Sequence, residues 1–174
     1  MGRSKPIFSV NSIKNLCNDL RLQGKKVGLT HGAFDLFHNS HLDLLKKSAE
    51  ICDYLIVGID SDRKVAEYKS YKRPIINQIH RLNIINELSC VDAVFIKDLE
   101  LEVDPHVRMY KDLQIDIVTV GRISFKGRIK KQCSVAKVIF EEIKTCQNPT
   151  TTFIISEIVK RYSYKVGNLV PKEE

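Results

Sequence analysis

No stretch of the 174-residue chain approaches the ~20 consecutive apolar residues of a membrane span. The opening Met1-Gly2-Arg3-Ser4-Lys5-Pro6 lacks the apolar core of a secretory signal. A cytoplasmic protein with no membrane partner is the expectation. Five cysteines (Cys17, Cys52, Cys90, Cys133, Cys146) never pair as Cys-x-x-Cys, which excludes the spacing of a zinc knuckle or a disulfide framework and implies reduced thiols. The net charge of +7 is dispersed and not interleaved with aromatic residues, so nucleic acid is not the expected partner. A phosphorylated small molecule satisfies the same excess. No internal repeat, low-complexity tract or linker divides the chain. One domain over residues 1–162 is expected, with a polar and mobile tail over 163–174.

What is present is the composition of a globular domain, 43% hydrophobic and 28% charged. Ile13, Leu16 and Leu20 predict a helix over Ser9–Leu22 that Gly24 ends. Apolar runs predict strands at Lys26–Leu29, Asp53–Ile59, Ala93–Ile96, Asp116–Val120 and Ala136–Phe140. Between them, helices are predicted over 41–51, after Asp62 to Tyr68, from Asn77 to Leu88, over Pro105–Leu113, and finally over Thr151–Tyr162. Lys69–Pro74 is a non-helical loop, because Pro74 disfavours helix at Arg73. Strands alternating with helices predict an α/β fold, a single Rossmann-like doubly wound domain around a mainly parallel five-stranded sheet.

The chemistry centres on Thr30-His31-Gly32-Ala33-Phe34-Asp35-Leu36-Phe37-His38-Asn39-Ser40-His41. It joins the first long strand to a helix carrying Leu42, Leu44, Leu45 and Ala49. A helix entrance offers unpaired N–H groups and a positive dipole end, and His38 and His41, three residues apart, add directional donors. Phosphate binding is the first expectation, with Lys69, Lys72 and Arg73 on a loop able to approach the same charge. His31 is expected as a turn residue and candidate substrate contact. His80 and His106 belong to no constellation and are expected to be structural. Asp60 and Asp62 lack EF-hand spacing, so no metal site is expected there.

Gly32, Phe34, Asp35, His38 and His41 resemble the His-x-Gly-His nucleotidyltransferases of the cytidylyltransferase-like kind. Ser61-Asp62-x-x-Val65-x-x-x-Lys69, Arg73-Pro74-Ile75 and Arg81 extend the likeness. It is nearest to the adenylyltransferase domain for heptose 1-phosphate, then to glycerol-3-phosphate cytidylyltransferase and the archaeal FMN adenylyltransferase. The resemblance covers roughly residues 10 to 160, and Thr150-Thr151-Thr152 matches its Ser-Thr-Thr motif. It implies transfer of a nucleotidyl group from an NTP, ATP before CTP, to a small phosphomonoester, with Mg²⁺ accompanying the NTP. It implies catalytic roles for His38, His41 and Lys69. Nucleotide or phosphate contacts are implied for Gly32, Ala33, Phe34, Asp35, Lys72, Arg73, Arg81, Gly121, Thr150, Thr151 and Thr152. A homodimer is left open.

Three positions depart from that pattern. Ser40 stands where the family has glycine, Gly121-Arg122-Ile123 replaces Gly-Gly-Asp or Gly-Asp-Asp, and Lys144–Pro149 replaces Arg-Thr-x-Gly-Ile. A second expectation follows, a catalytically weakened nucleotide-binding relative acting as a sensor or assembly subunit.

Overall fold

Three aspartates before strands and three hydroxyl residues before helices fix how the chain turns. The computed structural model describes residues 7–99, 104–146 and 149–163. Its elements are β1 (Ile7–Phe8), α1 (Val10–Leu22), β2 (Val27–Gly32), α2 (Asn39–Ala49), β3 (Tyr54–Asp60), α3 (Asp62–Tyr68) and α4 (Gln78–Asn86). β4 (Ala93–Lys97), α5 (Pro105–Asp112), β5 (Ile117–Val120), α6 (Lys126–Ala136), β6 (Ile139–Glu142) and α7 (Thr151–Tyr162) follow. Asp53, Asp92 and Asp116 each precede a strand. Their carboxylates accept the opening N–H of the neighbouring strand, from Lys26 (2.8 Å), Leu55 (2.8 Å) and Val27 (2.7 Å). Ser9, Ser61 and Thr150 cap α1, α3 and α7 by accepting from the N–H three residues on.

All strands pair in parallel, in the order β1-β4-β3-β2-β5-β6. The five expected strands are all present, and the two-residue β1 joins them at one edge. Two cores cover the faces. Ile13, Cys17 and Leu20 of α1 pack with Met109 and Tyr110 of α5 and Ile129 and Cys133 of α6 on one side. Leu44 and Leu45 of α2 pack with Leu82 and Ile85 of α4 on the other. Because β2 is followed by β3 on one side and paired with β5 on the other, the winding reverses at β2. The crevice at its carboxyl end is where such sheets take ligands.

Three local findings depart from the sequence expectation. β2 runs on through His31 and Gly32, so His31 is a strand residue and the turn begins at Ala33. α2 starts at Asn39 rather than His41, which makes His38 its N-cap. The strand expected over Ala136–Phe140 begins only at Ile139, and the preceding residues close α6, a helix with no counterpart in the sequence reading. Lys137 takes a left-handed conformation (φ 60°) there, and Val138 N–H returns to Cys133 O at 2.9 Å, closing a Schellman-type end. A lysine in a position usually held by glycine hid that helix stop. Ser163 caps α7, while the rest of the expected tail, 164–174, lies outside the described residues. Among the described residues no helix is long and apolar enough to cross a membrane.

Candidate nucleotide site at the mouth of α2

The backbone between β2 and α2 is strained into shape. Phe34 (φ 49°) and Leu36 (φ 45°) both lie in the left-handed region, which costs a non-glycine residue on the order of 1 kcal/mol or more. Asp35 between them holds the loop in place. Its buried carboxylate pairs with Arg73 Nε and Nη2 (each 2.8 Å) and accepts from the N–H groups of Ile75 and Ile76 (each 3.0 Å). Burial alone would raise this carboxyl, but the two N–H groups and Arg73 outweigh it and hold the pKa below the ordinary 3.8. Asp35 therefore clasps the 69–76 loop to the turn.

Beyond the turn, the His38 and His41 rings stack with centroids 3.7 Å apart. Phe34 meets His41 edge-on at 5.4 Å, and Phe37 lies 5.6 Å from it. Both Nδ1 atoms are buried without a partner, whereas the Nε2 atoms are not among the buried unpaired groups. A buried lone pair is better tolerated than a buried N–H, which favours the tautomer with the proton on Nε2 in both rings. Desolvation lowers both rings, and the stacked His38 with the nearby Lys69 takes His41 down to about 3. Both rings are thus neutral at pH 7. Lys69, at the end of α3, has its ammonium 5.8 Å from the Tyr68 ring. Desolvation and Arg73 lower its pKa, while Asp35 and Asp60 oppose them.

The remaining expected residues divide. Ala33 gives its carbonyl to Arg81, Gly32 ends β2, and Gly121 follows β5 close to Leu44 and Thr145. Thr151 Oγ1 donates to Asp35 O at 2.9 Å, tying the α7 entrance to the turn. Thr150 is the N-cap and accepts from Phe153 N–H, and Thr152 faces outward, exposed. Lys72 is exposed, its ammonium 5.6 Å from the Tyr71 ring. Arg73 is spent on Asp35. Arg81 is buried, bonded to Ile76 O (2.8 Å), Asp60 O (2.8 Å), Asp62 Oδ1 (2.7 Å) and Ala33 O. Both arginines hold the loops that carry Lys69 and the histidines rather than facing the crevice.

Ser40 does not crowd the site. Its hydroxyl points away to the carbonyls of Cys146 (3.1 Å) and Pro149 (3.0 Å). Asn39 reaches Cys146 Sγ, Asp43 accepts from Cys146 N–H, and Lys47 donates to Lys144 O. One ridge of α2 thereby latches the segment that leads into Thr150. No signal in the sequence marked this contact, because its partners are more than 95 residues apart.

His106 corrects the expectation that it belongs to no constellation. Lys97 Nζ lies 3.1 Å from its Nε2, 3.2 Å from His31 Nδ1 and 2.7 Å from Asp60 Oδ1. His31 Nε2 meets Tyr110 Oη at 2.8 Å, and Tyr68 donates to Asp60 Oδ2 at 2.8 Å. Desolvation, then Lys97, lower both rings, His106 to about 4. His80, by contrast, is exposed on α4. Among the described residues no three His, Cys, Asp or Glu side chains converge as a metal site.

A doubly wound parallel sheet with a histidine pair at a helix mouth and a lysine alongside it defines a nucleotidyltransferase-class domain. Residues 29–162 match the family model described as cytidylyltransferase-like, and the chain belongs to that family. It is 35% identical over 142 residues to the bifunctional protein HldE of Desulfatibacillum aliphaticivorans, a match that takes in 82% of this chain and 27% of that protein. The Helicobacter acinonychis (strain Sheeba) protein of the same name is 31% identical over 158 residues, 87% of this chain and 32% of that one. The chain spans roughly a third or less of such relatives. In fold it is similar to the lipopolysaccharide core biosynthesis protein from Thermoplasma volcanium GSS1 (TM-score 0.59, 23% identity, 72% of this chain and 100% of that one). It is also similar to the pantoate-beta-alanine ligase from Francisella tularensis (TM-score 0.60, 16% identity, 94% and 79%).

Proposed function

We propose that this domain transfers a nucleotidyl group from an NTP to a small phosphomonoester, such as a sugar or polyol phosphate, and releases pyrophosphate. The observation that carries the reading is the stacked histidine pair at the mouth of α2, neutral and with both Nδ1 atoms buried, in the electrostatic reach of Lys69. In the step itself an acceptor phosphate oxygen attacks the α-phosphorus, and the bond from that phosphorus to the pyrophosphate oxygen breaks. No protein nucleophile is required, so catalysis is positioning and charge stabilisation. His38 and His41 donate to the α- and β-phosphate oxygens from the helix entrance, and the Lys69 cation neutralises charge gathering at the α-phosphate. Asp35 and Arg73 keep these groups in register without touching the substrate.

The donors at the mouth are nitrogens, and the Asp35 and Asp60 carboxylates are already paired. Mg²⁺ entering with the NTP would be held by phosphate oxygens and water. ATP is favoured over CTP by the likeness of the Lys69 to Arg81 block alone. The internal pairing of Arg73 and Arg81 supports a second reading, a nucleotide-binding relative that has lost turnover. A pyrophosphate-release assay with each of the four NTPs, Mg²⁺ and a panel of sugar and polyol phosphates separates them. Turnover is expected with ATP. Saturable ATP binding without pyrophosphate from any pair would overturn the enzyme reading in favour of the second.

A further inference from the structure

Lys69 stands between two anchored segments. On one side Asp35 clasps the loop through Arg73, Ile75 and Ile76. On the other lies α3, which has seven residues and a single buried one, Val65. So short a helix has little stability of its own, and its last turn frays unless something outside the helix ties it down. Its start is held twice: Ser61 accepts from Lys64 N–H (3.2 Å), and Arg81 pairs with Asp62 at 2.7 Å. At its far end, Tyr68 Oη donates to Asp60 Oδ2 at 2.8 Å. Side chains on a helix lean toward its N-terminus, so Tyr68 reaches back along α3 to the tip of the strand that feeds it. Phe125 meets the same ring edge-on at 6.3 Å. Lys69, the next residue, donates its N–H to Val65 O at 3.0 Å and sets its ammonium 5.8 Å from the Tyr68 ring.

Asp60 can act as an anchor because the other side of its carboxylate is fixed. Oδ1 lies 2.7 Å from Lys97 Nζ, and both residues are buried. The Lys97 ammonium has three donors, and it faces three groups: Asp60 Oδ1, His31 Nδ1 (3.2 Å) and His106 Nε2 (3.1 Å). An ammonium cannot accept, so both ring nitrogens present lone pairs and both rings are neutral. A carboxylate buried without such a partner would take up a proton instead. The transfer step uses none of these groups. Their combined effect is to hold one carboxylate oxygen in a fixed place, and Tyr68 is bonded to it.

We infer that Tyr68 is a positioning residue for Lys69: its hydrogen bond to the buried Asp60 fixes the end of α3 and so sets where the Lys69 ammonium stands relative to the histidine pair. The inference rests on the transfer reading above, in which Lys69 acts at the α-phosphate. Lys69 then has one anchor on each side, Asp60 through Tyr68 and Asp35 through Arg73. The charges of these same two carboxylates are felt by Lys69.

A double-mutant cycle on the full chain tests this, with ATP, Mg²⁺ and the sugar or polyol phosphate that the pyrophosphate-release panel turns over. Tyr68→Phe keeps the ring against Phe125 and removes only the hydroxyl. It should lower kcat about tenfold, with the KM for ATP within about twofold of wild type. In a Lys69→Met background the same change should move kcat by less than about twofold, because the group that Tyr68 positions is gone. An undiminished kcat in Tyr68→Phe overturns the inference. So does an equal drop in both backgrounds, which is what a general loosening of the fold would give.

If the wild type turns over no acceptor, the transfer reading fails and the anchor is judged on Lys69 itself. The titration of Lys69 is then followed by NMR at its ε-methylene. Burial and Arg73 hold its pKa below 10.5 in the wild type, and in Tyr68→Phe it should climb toward 10.5 as the released side chain reaches solvent. The same pKa in both proteins refutes the anchor.

Discussion

Replacing Asp35 by asparagine tests the clasp on which the whole crevice depends. The carboxylate has no exposed surface and takes three hydrogen bonds, one each from Arg73 Nε, Ile75 N–H and Ile76 N–H, with Arg73 Nη2 a further ion-pair contact at 2.8 Å. Asparagine presents one acceptor oxygen and an NH₂. If the oxygen faces Arg73 and Ile75, the NH₂ confronts Ile76 N–H; reversed, it confronts the guanidinium and Ile75 N–H. Either orientation strands a buried donor, worth about 1–3 kcal/mol, and leaves a largely buried arginine without its counter-charge, for which about 3–5 kcal/mol is typical of a broken buried pair. These costs overlap, so a net loss of about 3–5 kcal/mol is expected, against a total stability of about 5–15 kcal/mol. With an m-value of about 2 kcal/mol/M, the urea midpoint should fall by roughly 2 M. Adding Arg73→Met should recover part of the loss, since the uncompensated charge goes with it. An Asp35→Asn protein within 1 kcal/mol of wild type would show that the loop is held by something else, and the account of how Lys69 reaches the histidines would fail with it.

Acid should destabilise the fold before its carboxylates titrate. His41 and His106 are held to about 3 and about 4, below the ordinary 6.5, so the unfolded chain binds the extra protons and stability falls as pH drops from 6.5 toward those values. The slope should reach about 1.4 kcal/mol per pH unit for each ring, and urea melts from pH 7 to 4.5 on wild type and His106→Gln should differ by one such slope. Ser40→Gly removes the latch to Cys146 and Pro149 and puts glycine in a helix, so a loss of about 1–2 kcal/mol is expected. Hydrogen exchange should also quicken at Thr145 and Cys146, and unchanged exchange there would refute the latch. Lys69→Met should leave the melt unaltered, as the side chain is exposed, while kcat falls about 10²–10³-fold with ATP affinity little changed, as for other lost charge-stabilising donors.

Local pattern carried much of this structure into the sequence. The apolar runs at Asp53–Ile59 and Asp116–Val120 announced buried parallel strands, and the histidines announced a helix mouth, because each signal lies within about a dozen consecutive residues. What stayed hidden needed distant partners or an atypical residue. Arg81 looks like a surface cation on an amphipathic helix, and only the convergence of carbonyls from residues 33, 60 and 76 explains its burial. Lys97 and His106 stand alone in the sequence, and the pairing of β3 with β4 brings Lys97 against Asp60. α6 escaped because Ile129, Gln132 and Cys133 are its buried residues and a lysine takes its left-handed stop.

The departures from the family pattern acquire a common sense in this light. Where the family has glycine in its histidine motif, Ser40 spends its hydroxyl on the segment ahead of α7, and in place of the family's Arg-Thr-x-Gly-Ile that segment supplies Cys146 and Pro149 as acceptors. The two changes are halves of one contact: a glycine at position 40 would leave the Cys146 and Pro149 carbonyls without their donor. Because Thr151 also bonds the backbone of Asp35, the latch links α2, the strained turn and the α7 entrance into one unit around the histidine pair. Asp35, Arg73 and Arg81 are likewise fully engaged behind the pair, so the turn that carries the histidines is held from both the α7 side and the 69–81 side.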